Sequence, residues 1–221
     1  MTTFEVLDEH DPRLGRDEDL ALALALLRAA ALDEPGRAHR DQVVAYVEAH
    51  ADAAWRASVD AHLTGSALVV DAAGERTLLM LHRKLGRWFQ PGGHADGDAN
   101  LAAVAHREAC EETGLVGLRV VVPAVDVDVH RVEPPGEAPH LHLDVRYVVL
   151  APAGASEEAN EESLALRWVR PAELDGLDPP VDDSTRRFVR RGLEVARAVL
   201  AGAGEPDVSP RRPGSRTPRS G

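Results

Sequence analysis

The 221 residues predict a mixed α/β or α+β sandwich, not a doubly wound parallel sheet. Three observations carry this. The elements read as helices, then strands around one central helix, then a closing helix, with no regular β-α alternation. Neither glycine-rich phosphate loop of the doubly wound folds, GxGxxG or GxxxxGK[ST], occurs. Hydrophobic residues make up 44% of the chain, enough for a packed core, but only 4% are aromatic, so alanine, leucine and valine must fill it.

In order along the chain, "DEDLALALALLRAAALDE" (17–34) opens with acids that suit a helix N-terminus, and "EPG" (34–36) breaks it. "RDQVVAYVEAH" (40–50) spaces Val43, Val44 and Val47 helically, and "ADAAWRASVDAHL" (51–63) continues or restarts that helix. From Gly65 the pattern turns to β. "SALVVDAAGERTLLML" (66–81) reads as a hairpin, and "RWFQPGGHADGD" (87–98) as a long loop. "ANLAAVAHREACEET" (99–113) is a helix. "LRVVVPAVDVDVHRV" (118–132), "HLHLDVRYVVLAP" (140–152) and "SLALRWVRP" (163–171) are strands. A closing helix runs over 182–202 with Asp183 or Ser184 as N-cap, and the Pro-, Gly-, Ser- and Arg-rich end is predicted to be disordered. The division expected is an N-terminal helical extension (1–62), a main domain (63–202) and a disordered tail (203–221).

The formal net charge is -12. So acidic a chain is not expected to bind nucleic-acid polymers or anionic membranes, both of which need phosphate-neutralising cations. A small phosphorylated ligand is compatible with it, because a bound divalent metal inverts the local field. Cys110 is the only cysteine, so no intrachain disulfide forms, which fits a reducing compartment. The first residues are acidic and lack an apolar h-region. The longest apolar stretch, about a dozen residues, is too short for a membrane span, which needs about 20. A cytoplasmic location is therefore expected.

"HREACEETGL" (106–115) concentrates three glutamates at the end of the central helix. At about 100° per residue, Leu101, Val104, Glu108, Glu111 and Leu115 share a face, and Glu112 lies four residues beyond Glu108. Gly114 followed by Leu115 reads as a helix stop. Acids in a last turn oppose the macrodipole and repel one another unless a cation compensates. Helix geometry alone leaves two readings open: a hard divalent cation on the carboxylates, or a surface cluster partly paired through Arg107 and Glu111 at i,i+4.

"GGHADGDANLAAVAHREACEETGL" resembles the Nudix box: Gly, five residues, Glu, seven residues, then R-E-U-x-E-E-x-G-U. Gly93 starts it, and Arg107, Glu108, Glu111, Glu112, Gly114 and Leu115 complete it with the right spacing, with a small Ala109 at the first U. The flanking "LGRWFQPGGH" and "LRWVRPAEL" are similar to the segments that flank the box in that superfamily. The resemblance implies an α/β/α sandwich on a mixed sheet. It also implies a Mg²⁺- or Mn²⁺-dependent hydrolase that cleaves a diphosphate linkage in a nucleoside diphosphate derivative. Glu108, Glu111 and Glu112 would hold the metal with the Gly93 carbonyl, Arg107 would orient a motif glutamate, and Gly93 and Gly114 would serve backbone conformation. Glu108 is one candidate base; Glu161 and Glu162, on the late loop "NEES", are others.

One position departs from the box. Its first glutamate falls at Ala99, with Asp96 and Asp98 beside it. Asp98 either substitutes for that acid or caps the helix. The loss also keeps open a Nudix-like domain that binds ligand without hydrolysing it, in which the N-terminal helices transmit a signal or form a homodimer. Prenyl diphosphate isomerisation, which also occurs on this fold, would need a catalytic cysteine outside the box, and Cys110 lies inside it.

Further candidates lie around the box. His82, Arg83, Lys84, Arg87 and Trp88 form a basic and aromatic set that could grip phosphate and stack on a base, though Trp88 and Phe89 also read as core. His94 follows the glycines and faces the phosphates or hydrogen-bonds the loop. His140, His142 and Asp144 alternate on one strand face, with His130 nearby in sequence, which fits a site-lining or structural role better than a second metal.

Overall fold

Strand patterning and punctuation yield eight strands among the described residues of the computed structural model, which are 2–133, 136, 138–161 and 163–202. They are β1 (Glu5–Leu7), β2 (Ala61–Val70), β3 (Thr77–His82), β4 (Arg87–Phe89), β5 (Gly92–His94), β6 (Arg119–Val132), β7 (His140–Leu150) and β8 (Ser163–Val169). The helices are α1 (Leu20–Ala29), α2 (Glu34–Ala49), α3 (Leu101–Thr113) and α4 (Asp183–Gly202). The sheet order is β1-β6-β7-β2-β3-β4, with β5 also paired to β2 and β8 to β3. β2 and β7 run parallel at its centre, from Ala61↔Leu141 to Val70↔Leu150, and every other pair is antiparallel. The sheet is mixed, as predicted.

Period-two alternation sorts the central strands onto two faces. Leu143, Val145, Tyr147 and Val149 of β7, with Leu63 and Val69 of β2, join one core with α1, α2 and α3. Val148 and Leu150, with Leu68 and Val70, join a second core under Phe188, Val189 and Leu193 of α4. Two helical layers thus enclose one sheet, the α/β/α sandwich the sequence implied. α3 approaches β2 closely because Gly65 faces it: a β-carbon there would lie 2.9 Å from the Leu101 carbonyl oxygen and from Val104 Cγ1.

Several local expectations are corrected. Residues 51–59 form turns, not helix, and β2 starts at Ala61, four residues before the predicted onset of β-structure. The loop over 87–98 contains the short strands β4 and β5. α4 is capped by Asp182, whose Oδ1 accepts the Thr185 N–H at 2.7 Å, in place of Asp183 or Ser184. The N-terminal segment is more than helical: β1 pairs with β6, and Ala23, Leu27, Val43 and Val47 belong to the first core. The predicted tail, 203–221, lies outside the described residues.

Where β7 carries polar residues on the α4 face, it buries an ionic cluster. The Arg146 side chain is 3% exposed and contacts Asp144 (2.7 Å), Asp126 (3.1 Å) and Asp128 (3.2 Å). Arg187 of α4 adds bonds to Asp126 and Asp128, and Thr64 and Ser66 donate hydroxyls to Asp144. Burial works to raise the Asp128 carboxyl. Hydrogen bonds from His130, Arg187 and Ser184 and the charge of Arg146 outweigh it and hold the group far below the usual carboxylate range.

Arg146→Met strands these acids in the interior and is expected to cost about 3–5 kcal/mol at neutral pH. Asp128, with its folded-state value depressed, contributes stability above its unfolded value of about 3.9 and loses it as pH falls. Denaturant titrations at pH 7 and pH 3.5 should therefore show the gap between variant and parent narrowing on acidification. Gly65→Ala should cost about 1–3 kcal/mol by forcing α3 off the sheet, measurable in the same titration.

Candidate active site

The start of α3 is held by side chains in front of it. Asn100 is the N-cap, its side-chain Oδ1 accepting from the Ala103 N–H, and its side-chain amide donates to the Arg13 and Gly15 carbonyls at 2.8 Å each. Asp98 is therefore not the helix cap. It is buried, 2% exposed; Oδ1 accepts the Asn100 and Asp17 N–H groups, and Oδ2 lies 3.7 Å from Arg107 Nη1. Asp96, the other neighbouring acid, is taken by Arg56 in a bidentate pair at 2.7 Å on both arms. Ala99 itself is fully buried and donates its N–H to the Asp17 carbonyl.

The three glutamates differ in environment. Glu112 is 6% exposed and accepts the Gly92 N–H at 2.8 Å. The Glu108 carboxylate is mostly buried, lies 3.1 Å from Arg107 Nη2 and packs so tightly on Gly93 that no β-carbon fits there. Glu111 is exposed. The buried stripe thus runs Ala102, Ala105, Ala109, Glu112, whereas Glu111, placed by spacing on the inward face, points out. Arg107 bonds Glu108 and the His94 carbonyl (3.3 Å), not Glu111 as i,i+4 pairing would require. Gly114, at φ 66°, ends the helix as predicted. Gly93 has an ordinary extended backbone; its role is to admit the Glu108 carboxylate, not to supply an unusual φ.

The late loop closes the other end of α3. Glu158 N–H donates to the Thr113 carbonyl at 2.7 Å and the Asn160 amide to the Glu111 carbonyl at 3.2 Å, occupying acceptors that the last turn leaves open. Glu161 is exposed beside this contact, and its carbonyl accepts from Arg83 Nε at 2.8 Å. Glu162 lies outside the described residues. Arg83 also bonds the Ser163 carbonyl and, with His82, Lys84 and Glu161, lines an open cleft of ≈ 210 Å³. Arg87 is exposed on β4, its guanidinium 5.9 Å from the Phe89 ring centre.

Two residues proposed as substrate contacts lie away from the carboxylates. Trp88 is buried in the second core, with Nε1 donating to the Asp178 carbonyl, so its face is not available for stacking. His94 gives the site only its carbonyl. Gly93 faces Glu108, so the next side chain along β5 faces the opposite way, and the His94 ring lies 4.9 Å from His62 and 5.0 Å from His142. Burial, then the Arg56 charge, pushes the His94 imidazole down to about 4. Asp144, grouped with His140 and His142 by its spacing, belongs instead to the Arg146 cluster. No local pattern marks His62; only the register His62↔His142 between β2 and β7 reveals it.

The NUDIX domain model matches residues 61–192. The chain belongs to the NUDIX family. Family members are pyrophosphohydrolases, and this Nudix chain is a hydrolase of that class; Nudix enzymes generally use divalent metals. The chain is also similar to solved structures. A Clostridium perfringens NUDIX-family hydrolase is 20% identical, with a TM-score of 0.49 over 62% of this chain and 97% of that one. The NUDIX domain of Shewanella oneidensis NrtR, complexed with ADP ribose, is 17% identical, with a TM-score of 0.48 over 64% and 92%. A C. elegans Ap4A hydrolase is 18% identical, with a TM-score of 0.45 over 63% and 98%. No curated protein matches. Among the described residues, no helix is long and apolar enough to cross a membrane.

Asp98→Asn keeps an oxygen for the Asn100 and Asp17 N–H groups but removes the charge facing Arg107. Turnover of this Nudix chain should fall about tenfold, equivalent to about 1.4 kcal/mol of barrier, with the unfolding midpoint nearly unchanged. Full activity in a folded Asp98→Asn protein would show that the acid at 98 does no more than bond the backbone.

Proposed function

We propose that this Nudix chain is a Mg²⁺- or Mn²⁺-dependent pyrophosphohydrolase acting on a nucleoside diphosphate derivative, and that Asp98 replaces the acid missing at Ala99. The observation that carries the reading is the disposition of charge around Arg107. One guanidinium lies between a buried acid before the helix and Glu108 on it, so Glu108 is aimed although position 99 is alanine.

The donor chemistry fits a hard cation. Glu108, Glu111 and Glu112 present carboxylate oxygens from consecutive turns of one helix, and such oxygens suit Mg²⁺ and Mn²⁺. Their exposure is graded from buried to open, which suits a site fixed on one side and accessible on the other. When bound, the cation neutralises charge that develops on the phosphoryl oxygens. The chain's own residues do the rest. Glu112 is held by the Gly92 N–H, Arg107 orients Glu108, and the late loop brings Glu161 to the open end of α3. Glu108 is our first choice of base, with Glu161 and Glu162 next. The cleft beside Arg83 and Lys84 offers cationic charge for a substrate phosphate.

The test is product release from a panel of nucleoside diphosphate derivatives with and without Mg²⁺. Turnover that requires metal and drops about 10²–10⁴-fold in Glu108→Gln is expected. Glu162→Gln should fall as far only if the late loop supplies the base. Tight, metal-independent binding of one compound with no turnover of any would replace hydrolysis by ligand sensing.

A further inference from the structure

We propose that His62, His94 and His142 form a second metal site, one for a divalent transition metal such as Zn²⁺, on the opposite side of β5 from the carboxylates. One ring nitrogen from each residue lies within 4.8 Å of those of the other two. The three residues stand on β2, β5 and β7, and sheet pairing fixes their relative positions: His62 is in register with His142, and His94 with Thr64, two residues along β2. Ligands on paired strands are placed more accurately than ligands on loops.

The nitrogens lack other employment. His62 is 3% exposed, and its Nε2 and that of His142 are buried without a hydrogen-bond partner. An unpartnered buried polar atom costs about 1–3 kcal/mol, and native structures contain few of them. His62 Nδ1 lies 3.3 Å from the Ser58 carbonyl. A carbonyl only accepts, so that contact assigns the proton to Nδ1 and the lone pair to Nε2, the arrangement of a metal-ligating histidine with its second nitrogen bonded to backbone. His140 repeats it, with Nδ1 2.9 Å from the Ala138 carbonyl and an unpartnered Nε2, and its ring is 4.7 Å from that of His62. His140 therefore flanks the three as the nearest additional donor.

Access and selectivity follow from the surroundings. A cleft of ≈ 230 Å³ bordered by Arg56, Val59, His62 and His140 leads in from solvent. Tetrahedral zinc with Zn–N of 2.0–2.1 Å places its nitrogens about 3.4 Å apart, so side-chain rotation brings the rings into range. Neutral imidazoles suit zinc, copper, nickel and iron, and leave Mg²⁺ to oxygen donors. The two sites thus differ in donor chemistry, and β5 separates them: Gly93 turns to Glu108 and His94 to the histidines.

The untagged full chain, stripped with chelator, should bind one equivalent of Zn²⁺ in the presence of millimolar Mg²⁺. With Co²⁺ it should give the intense visible bands of a four-coordinate ion with nitrogen ligands. His94→Gln and His142→Ala should lose the bands and lower zinc affinity at least tenfold, while Glu108→Gln and Glu111→Gln retain both. Apo-protein melting and circular dichroism identify variants that fold. Absence of stoichiometric zinc binding, or only the weak bands of six-coordinate cobalt in the parent chain, overturns the proposal without reference to any variant. Binding lost in the glutamate variants and kept in folded histidine variants would place the ion at the carboxylates and overturn it equally.

Discussion

The site depends on how closely α3 can lie on the sheet. Two glycines and a stripe of alanines set that distance. Gly65 leaves room for the Leu101 carbonyl and Val104, Gly93 for the Glu108 carboxylate, and Ala102, Ala105 and Ala109 give the helix a flat underside. With larger residues there, Glu112 would not reach the Gly92 N–H and Arg107 would not reach the His94 carbonyl. Packing of this kind tolerates little, since interiors are close-packed and an added methyl displaces its neighbours. The charges at the end of α3 are thus positioned by the absence of side chains opposite them.

The N-terminal segment takes part in the same arrangement. Asp17 bonds Asp98 and Ala99 through its backbone, and the Arg13 and Gly15 carbonyls receive the Asn100 amide. The beginning of the acidic helix is therefore built from residues some 80 positions upstream. α1 and α2 cover the first core, and β1 covers the edge of β6.

Much of this was legible in the sequence because it is local. The strand alternation of β7, the glycine stop at Gly114 and the spacing of the box depend on near neighbours, and each appears as expected. What could not be read depends on pairing at a distance. Trp88 reads from sequence as either a stacking surface or core, and only the closure of β3, Leu174 and α4 around it decides for core. His62 has no local pattern and gains meaning only from its neighbours on β5 and β7. Glu112 keeps its inferred inward direction and Glu111 does not, because the buried stripe follows the alanines and one residue is about 100° of rotation. The split of Asp96 to Arg56 and Asp98 to Arg107 likewise follows from loop geometry, with Asp96 at φ 47°.

Ala99 has a consequence for how the chain can change. Its side chain is sealed in the core, its N–H is tied to Asp17, and the acid facing Arg107 already stands at 98. A glutamate at 99 would bury a second carboxylate beside the first, in a position that is fully enclosed and where Arg107 already lies between Asp98 and Glu108. The backbone of the N-terminal segment would have to retreat first, and that retreat would uncover the start of α3. The acid at 98 and the alanine at 99 thus depend on each other: the motif's own glutamate is one substitution away and structurally out of reach.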